Sequence, residues 1–165
     1  MPIEPEYMRI VTRVHGYVEL GMFTEADEEW NEVPVDVRNE PVALAVRLEI
    51  LRGLKQWAAM QVIARSLAER DPGNPQWPIL WAYATRRAES VQAARLILLD
   101  ASSHHPGEAI IPYNLACYEC RLGNMDAAEN HLRAALKLEP KCRAMALEDD
   151  DLTPLRDLLK HYLTE

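Results

Sequence analysis

The fold is decided by residues 113–140, which read YNLACYECRLGNMDAAENHLRAALKLEP. Apolar residues recur at helical spacing before Gly123 and again after it. Gly123 and Asn124 interrupt the pattern, with Asn124 placed to cap a second helix, and Pro140 ends that helix. The stretch therefore predicts two helices joined by a short turn.

This pattern repeats along the chain with a constant period of about 34 residues. Pro72, Pro106 and Pro140 are evenly spaced at that period, and several columns of small and apolar residues keep the same spacing. The columns include Ala94 with Ala128, Leu98 with Leu132, and Ala101 with Ala135. Extended toward the N-terminus, the register predicts four units, 7–40, 41–74, 75–108 and 109–142, after a short extension of residues 1–6.

These residues resemble the tetratricopeptide repeat family, whose unit is a helix–turn–helix with small residues at set columns and a proline after the second helix. The departures lie in the first two units, where Arg13 and Arg47 stand in a column that usually holds Leu and Arg38 stands in the proline column. The matches in the last two units are Ala82, Ala94, Leu98, Ala101, Pro106, Leu115, Ala116, Gly123, Ala128, Leu132, Ala135 and Pro140. The resemblance implies an all-α fold, a right-handed α-solenoid of about four helix–turn–helix repeats, of the small free-standing bacterial type.

Residues 143–165 follow the last unit and predict a capping segment. The polar run Asp149–Asp151 precedes a final helix that Thr153 and Pro154 open, and the run lacks the alternating ligands and glycine of a calcium loop. We interpret it as a solvated turn or a helix cap, and the final helix as an amphipathic cap on the end of the solenoid. The alternative is a detachable helix that docks on a partner. The apolar positions of this helix are Leu152, Leu155, Leu158, Leu159 and Tyr162.

Charge and composition exclude several classes of partner. The formal net charge of −8 argues against binding to nucleic acid or to an anionic membrane. No apolar run is long enough to span a bilayer, and the N-terminus lacks the basic and apolar regions of a secretory signal. Three cysteines, an odd number, are typical of a reducing compartment, so a cytoplasmic location is expected.

The C-x-x-C pair of Cys117 and Cys120 is the strongest hint of chemistry. A zinc site would need further ligands, and Cys142, His104 and His105 lie at the wrong spacing. A redox pair would have its first cysteine at a helix N-terminus, whereas Cys117 falls in mid-helix. We therefore predict no catalytic residue, no metal and no cofactor. An enzyme that depends on a metal or thiol is the least favoured alternative.

The first helices of the four units carry a basic stripe. Residues 8–20, 42–54, 76–88 and 110–122 hold seven arginines against three glutamates, although the chain as a whole is acidic. In the resembled family these helices line the concave groove, so we expect an acidic or carboxylate-ended peptide as ligand. The alternative is that the arginines pair with neighbouring glutamates or lie at helix ends. The candidate partner-binding residues are Arg52, Arg86, Arg87, Arg121, Tyr83, Tyr113, Glu49 and His15.

The expected function is a non-enzymatic module that binds a protein or peptide. A small chaperone for a secreted client is the alternative within the same class, and a homo-oligomer is compatible with either. Reversing the charge of Arg52 and Arg86 is expected to abolish peptide binding without lowering thermal stability.

Overall fold

The structure, a computed structural model, describes residues 5–161, and every regular element in that range is helical. A 3₁₀ helix, Asp150–Leu155, lies between the last two α-helices. The α-helices are α1 Pro5–Glu19, α2 Phe23–Trp30, α3 Val35–Arg38, α4 Pro41–Gly53, α5 Trp57–Arg70, α6 Gln76–Ala88, α7 Val91–His104, α8 Ile110–Leu122, α9 Met125–Leu138, α10 Cys142–Glu148 and α11 Arg156–His161.

The helices pack in chain order and form an all-α solenoid. Four hairpins are made by α1 with α2, α4 with α5, α6 with α7, and α8 with α9, and each packs against the next. Their second helices begin at Phe23, Trp57, Val91 and Met125, which are evenly spaced along the chain at the period of the sequence pattern. The period of the sequence is therefore the spacing of these helices, and the predicted fold class is confirmed.

Small buried residues let the helices of each hairpin approach closely. Ala26, Ala94 and Ala128 stand at the same point of α2, α7 and α9 and are fully buried. Met60 takes that position in α5 and is fully buried as well. An alanine column costs little side-chain entropy and lets neighbouring helix backbones pack closely along the core.

Arginines in the N-terminal half occupy positions where the resembled family has leucine or proline. Arg13 of α1 pairs with Glu29, and Arg47 of α4 pairs with Asp27, so both arginines bind the same helix, α2. Arg38 donates hydrogen bonds to the carbonyl oxygens of Val33 (2.7 Å) and Asn31 (2.8 Å). It ends α3, a one-turn helix that the sequence pattern did not predict. Polar bonds thus replace apolar contacts at these positions.

The two predicted helix caps differ. Ser90 accepts a hydrogen bond from the Ala93 amide (3.1 Å) and caps α7 as predicted. Asn124 precedes α9, but its side chain makes no capping bond. It donates instead to the Glu119 carboxylate, at 2.7 Å. Asn124 therefore holds the predicted N-cap position of α9 without the predicted side-chain bond, because its amide group binds the buried Glu119 carboxylate instead.

The C-terminal segment forms more elements than predicted. The additional helix α10 precedes residues Asp149–Asp151, which we call the acidic turn, and α11 begins at Arg156 rather than at Thr153. Thr153 and Pro154 lie within the 3₁₀ helix. The apolar side chains that follow the acidic turn join the core of α8 and α9, and Tyr162 lies outside the described residues. The buried leucines are Leu152, Leu155 and Leu159.

Candidate protein-binding surface

The first helices of the hairpins, α1, α4, α6 and α8, form one surface, which we call the inner face. Its N-terminal half contains a cavity of about 530 Å³, shared by α1, α4 and α6 with the residues that lead into α6. Most of the lining is apolar. The lining residues are Met8, Val11, Thr12, His15, Val42, Ala45, Val46, Glu49, Asn74, Gln76, Trp77 and Leu80.

Polar groups stand among the apolar residues of this cavity. Asn74 accepts a hydrogen bond from the Gln76 amide through its side-chain oxygen, at 3.0 Å. The indole of Trp77 donates to Asp71 (3.0 Å), which fixes the ring that forms part of the wall. His15 and Glu49, two predicted site residues, lie in this lining. The N-terminal half of the inner face is therefore an apolar cavity with polar groups in its lining.

Two side-chain contacts near the cavity are local to their own helices. Arg52 pairs with Glu49, one turn before it on α4, and both side chains are partly exposed. His15 approaches Glu19, one turn after it on α1, at 3.8 Å. Exposed pairs of this kind contribute little to stability and exchange easily with water. Arg52 does not line the cavity, although Glu49 does.

The C-terminal half of the inner face is covered by the acidic turn. The Asp151 carboxylate accepts bonds from Arg86 of α6 (2.6 Å) and Arg121 of α8 (2.9 Å). Asp149 accepts hydrogen bonds from the Tyr113 hydroxyl (3.0 Å) and the Cys117 thiol (3.6 Å). Asp149 and Asp151 therefore already bind Arg86, Arg121 and Tyr113, three of the residues that the sequence predicts to contact a ligand.

The electrostatics of this contact follow from its burial and its partners. Burial acts to raise the pKa of the Asp151 carboxyl, but hydrogen bonds and charges of Arg121 and Arg86 outweigh it and hold that pKa below its usual value. Burial also raises the pKa of the Tyr113 hydroxyl and of the Cys117 thiol, and the nearby carboxylates raise both further. At neutral pH both groups are protonated and donate to Asp149.

Arg87 and Tyr83 form a separate aromatic cluster. The Arg87 guanidinium lies 3.5 Å from the centroid of the Tyr83 ring and 5.2 Å from that of Trp57. The two rings meet edge to face with centroids 5.9 Å apart. Arg87 also donates to the Tyr83 carbonyl oxygen, at 3.0 Å. This cation–π packing joins the start of α5 to the end of α6.

The eight predicted residues are therefore distributed over three places. Arg86, Arg121 and Tyr113 meet around the acidic turn, Arg87 and Tyr83 belong to the aromatic cluster, and the others lie at or beside the cavity. Sequence reasoning interpreted Asp149 and Asp151 as a solvated turn or a helix cap, and Asp149 does cap the 3₁₀ helix. It missed their contacts with the inner face, and it also missed Trp77 and Leu80. Apolar residues on a first helix were the available signal for the last two. No spacing rule connects the acidic run to Arg86.

Glu119 of α8 has a fully buried carboxylate on the side of the helix that faces α7, away from the acidic turn. Glu119 accepts from Arg95 of α7 and from Asn124 in the turn before α9. Burial raises the pKa of its carboxyl, but the hydrogen bonds of Asn124 and Arg95 outweigh burial, so the net shift is downward. Glu119 therefore stays ionised and joins three consecutive elements.

The three cysteines are buried free thiols. Burial raises the pKa of Cys117, Cys120 and Cys142, which disfavours the reactive thiolate. Within residues 5–161, no group of three or more His, Cys, Asp and Glu side chains is arranged to hold a metal ion. No helix in the same range is long and apolar enough to cross a membrane.

Comparisons with known proteins support the fold through structure alone. No protein-family model matches the chain, and a search of curated proteins finds no match. Among solved structures, the chain is similar to MamA, residues 41 to the end, from Desulfovibrio magneticus RS-1. The TM-score is 0.72 at 17% sequence identity, over 82% of this chain and 76% of that chain. The likeness and the helical hairpins fit a tetratricopeptide-type fold.

Proposed function

We propose that this chain is a non-enzymatic protein-interaction module that holds a segment of a partner protein on its inner face. The observation that supports the proposal is the open cavity of about 530 Å³ between α1, α4 and α6. That volume lies in the range of pockets that bind ligands, which is on the order of 300–1,000 Å³. Stacked hairpins characteristically bind along the surface that their successive helices share.

The lining indicates what the cavity would receive. Val11, Val46 and Leu80 offer an apolar floor to a large side chain of the partner. Asn74 and Gln76 offer amide groups that can bond a peptide backbone beside that side chain. Val42, another lining residue at the start of α4, is exposed, so the apolar lining reaches the surface of the molecule. A partner segment with one bulky apolar anchor fits this arrangement best.

The test is a selection of random peptides on the immobilised full-length chain, followed by affinity measurements with variants. Ala45→Arg places a long charged side chain in the cavity lining. Ala59→Arg is the matched control, because Ala59 is an exposed residue of α5 that does not line the cavity. The selected peptides should carry a large apolar residue and bind the first variant at least about tenfold more weakly.

The control variant should bind the same peptides within about twofold of the wild-type chain. Equal affinity for the wild type and for Ala45→Arg would place binding outside the cavity and contradict the proposal. Circular dichroism of each variant checks that its helical content is unchanged.

A further inference from the structure

The C-terminal half of the inner face holds a complete set of groups for binding carboxylates. Arg86 lies on α6 and Arg121 on α8. The two residues are far apart in the sequence, and the fold brings them to the same carboxylate. The Tyr113 hydroxyl adds a neutral donor on the same side of α8. Two guanidinium groups and a phenol together suit a ligand segment that carries more than one carboxylate.

The chain itself provides such a segment. Asp149 and Asp151 are two residues apart, and together they contact all three donors. Asp150 between them points to solvent, with its side chain fully exposed. Asp149 and Asp151 therefore reach the inner face from the N-cap and the first turn of the 3₁₀ helix, while Asp150 faces away from it.

We propose that the acidic turn is an internal ligand, which a partner's acidic segment replaces on Arg86, Arg121 and Tyr113. The inference rests on the proposed function, in which the inner face binds a protein segment. A partner would then place an apolar side chain in the N-terminal cavity and its carboxylates on the C-terminal arginines. The acidic turn lowers the affinity for any partner that lacks those carboxylates, and so it adds specificity.

The packing of the acidic turn explains how it is held in place and how its release can be observed. Leu152 and Leu155, which follow it, are buried against α8 and α9 and tether the segment. Cys117 lies beneath the turn, buried and bonded to Asp149. Displacement of the turn uncovers this thiol, whereas Cys142 is buried in α10 and does not contact the acidic turn through any described bond. Alkylation of Cys117 therefore reports on the exchange.

The probe is a synthetic peptide of residues 147–157, LEDDDLTPLRD. The control peptide has asparagine in place of Asp149 and Asp151. The full-length chain is alkylated with iodoacetamide in the presence of each peptide, and the three cysteines are quantified separately by mass spectrometry. We expect the acidic peptide to accelerate Cys117 modification at least about threefold and the control peptide to leave it unchanged.

No acceleration at a saturating peptide concentration would overturn the inference. Equal acceleration of Cys142 would also overturn it, because the peptide would then be unfolding the C-terminal segment as a whole. This measurement uses the wild-type chain, so its outcome does not depend on how well any variant folds.

Anisotropy of the labelled acidic peptide gives an independent measurement. The variant Asp149→Asn/Asp151→Asn removes the negative charges that compete for the donors and should bind the peptide at least about tenfold more tightly than the wild type. Adding Arg121→Gln to that variant should remove most of the gain. Similar affinity for the wild type and the Asp149→Asn/Asp151→Asn variant would show that the turn does not compete.

The two proposals fail separately. Peptide selection that is insensitive to Ala45→Arg contradicts the use of the cavity, even if Cys117 is uncovered by the acidic peptide. An unchanged rate of Cys117 modification with that peptide contradicts the internal ligand, even if the cavity binds apolar anchors.

Discussion

The two halves of the inner face are built from equivalent helices, but one half is open and the other is covered. The N-terminal half, between α1, α4 and α6, is apolar and open. The C-terminal half, between α6 and α8, is cationic and covered by the acidic turn. Guanidinium groups near each other on a surface repel unless a counter-charge lies between them. The comparison teaches that a basic stripe in a sequence is not by itself a vacant binding site.

The C-terminal hairpins also contain the buried ion pair of Glu119 with Arg95, on the side of α8 away from the acidic turn, so the N-terminal and C-terminal halves of the molecule should respond differently to substitution. In the N-terminal half, arginines such as Arg13 and Arg52 pair at the surface. In the C-terminal half, Glu119 is fully buried and the side chain of Asp151 is only 15% exposed. Removing a charged side chain should therefore lower the free energy of unfolding much more in the C-terminal half than in the N-terminal half.

The largest effect is expected at Glu119. Glu119→Gln leaves Arg95 without its buried counter-charge and should lower the free energy of unfolding by about 3 kcal/mol. Chemical denaturation followed by circular dichroism measures the change. Glu129→Gln is the control, because Glu129 pairs with Arg133 at the surface of α9, and it should cost less than about 0.5 kcal/mol. Equal losses of unfolding free energy in the two variants would show that burial does not make the Glu119 pair more important than a surface pair.

The second largest effect is expected in the N-terminal half, where stability depends on the packing of side chains more than on charge. A Cβ added at Gly53 would meet the Phe23 ring of α2, so Gly53→Ala should cost about 1–3 kcal/mol. Gly16→Ala is the control, since nothing lies near a Cβ at that position in α1. It should be neutral or stabilise by up to about 1 kcal/mol, through helix propensity. Thermal unfolding of the two variants compares them, and a stable Gly53→Ala would contradict the tight contact.

The third prediction places the same substitution in both halves of the inner face. Arg86 is 22% exposed, pairs with Asp151 and lies over the Tyr118 ring, at 5.5 Å from its centroid. Arg86→Gln should therefore cost about 1–2 kcal/mol in denaturation experiments. Arg52→Gln should cost less than about 0.5 kcal/mol, because Arg52 is 49% exposed beside Glu49.

This prediction revises the expectation from sequence that charge reversal at Arg52 and Arg86 leaves thermal stability unchanged. Reversal at Arg86 would place a carboxylate beside Asp151, so we now expect a lower unfolding temperature for that variant. Equal unfolding temperatures for the Arg86 and Arg52 variants would remove the difference between the two halves.

The smallest effect is the dependence of stability on acid. The folded-state pKa values of Glu119 and Asp151 are both lowered, so the unfolded chain binds protons more readily. Stability from these groups is full above their ordinary pKa of about 4 and is lost as the pH falls through the lowered values. Denaturation midpoints between pH 7 and pH 3 should fall most steeply at the acid end. Glu119→Gln should make that fall shallower, and an unchanged slope would contradict the assignment.

The helices that the sequence predicted well are those with a full amphipathic pattern. The second helices begin at Phe23, Trp57, Val91 and Met125, where the columns place them. α5, α7 and α9 are long enough for periodic apolar residues to identify a helix locally, and the repeat period extends the assignment to the shorter α2. The short helices α3 and α10 were missed, since one or two turns contain too few residues for a period to show. The side-chain capping bond predicted for Asn124 does not form, because its amide binds Glu119, which the tertiary fold buries.

The site was predicted less well than the fold. Arg86, Arg121 and Tyr113 do lie together, but their partners Asp149 and Asp151 were interpreted as a solvated turn or a helix cap. The grouping of the eight candidates also assumed one continuous groove. The structure instead separates them into a cavity, an aromatic cluster and a covered cationic surface.

The sequence by itself determined that the chain is an all-α solenoid of regularly repeating hairpins, because helix periodicity and turn chemistry act between near neighbours. Only the tertiary structure decided which part of the inner face is open. Asp151 meets Arg86 from a distant part of the chain, and that contact depends on how the 3₁₀ helix, which follows α10, packs on α8. Coulomb attraction between distant residues leaves no period in a sequence, so the closed half became visible only once the helices were packed.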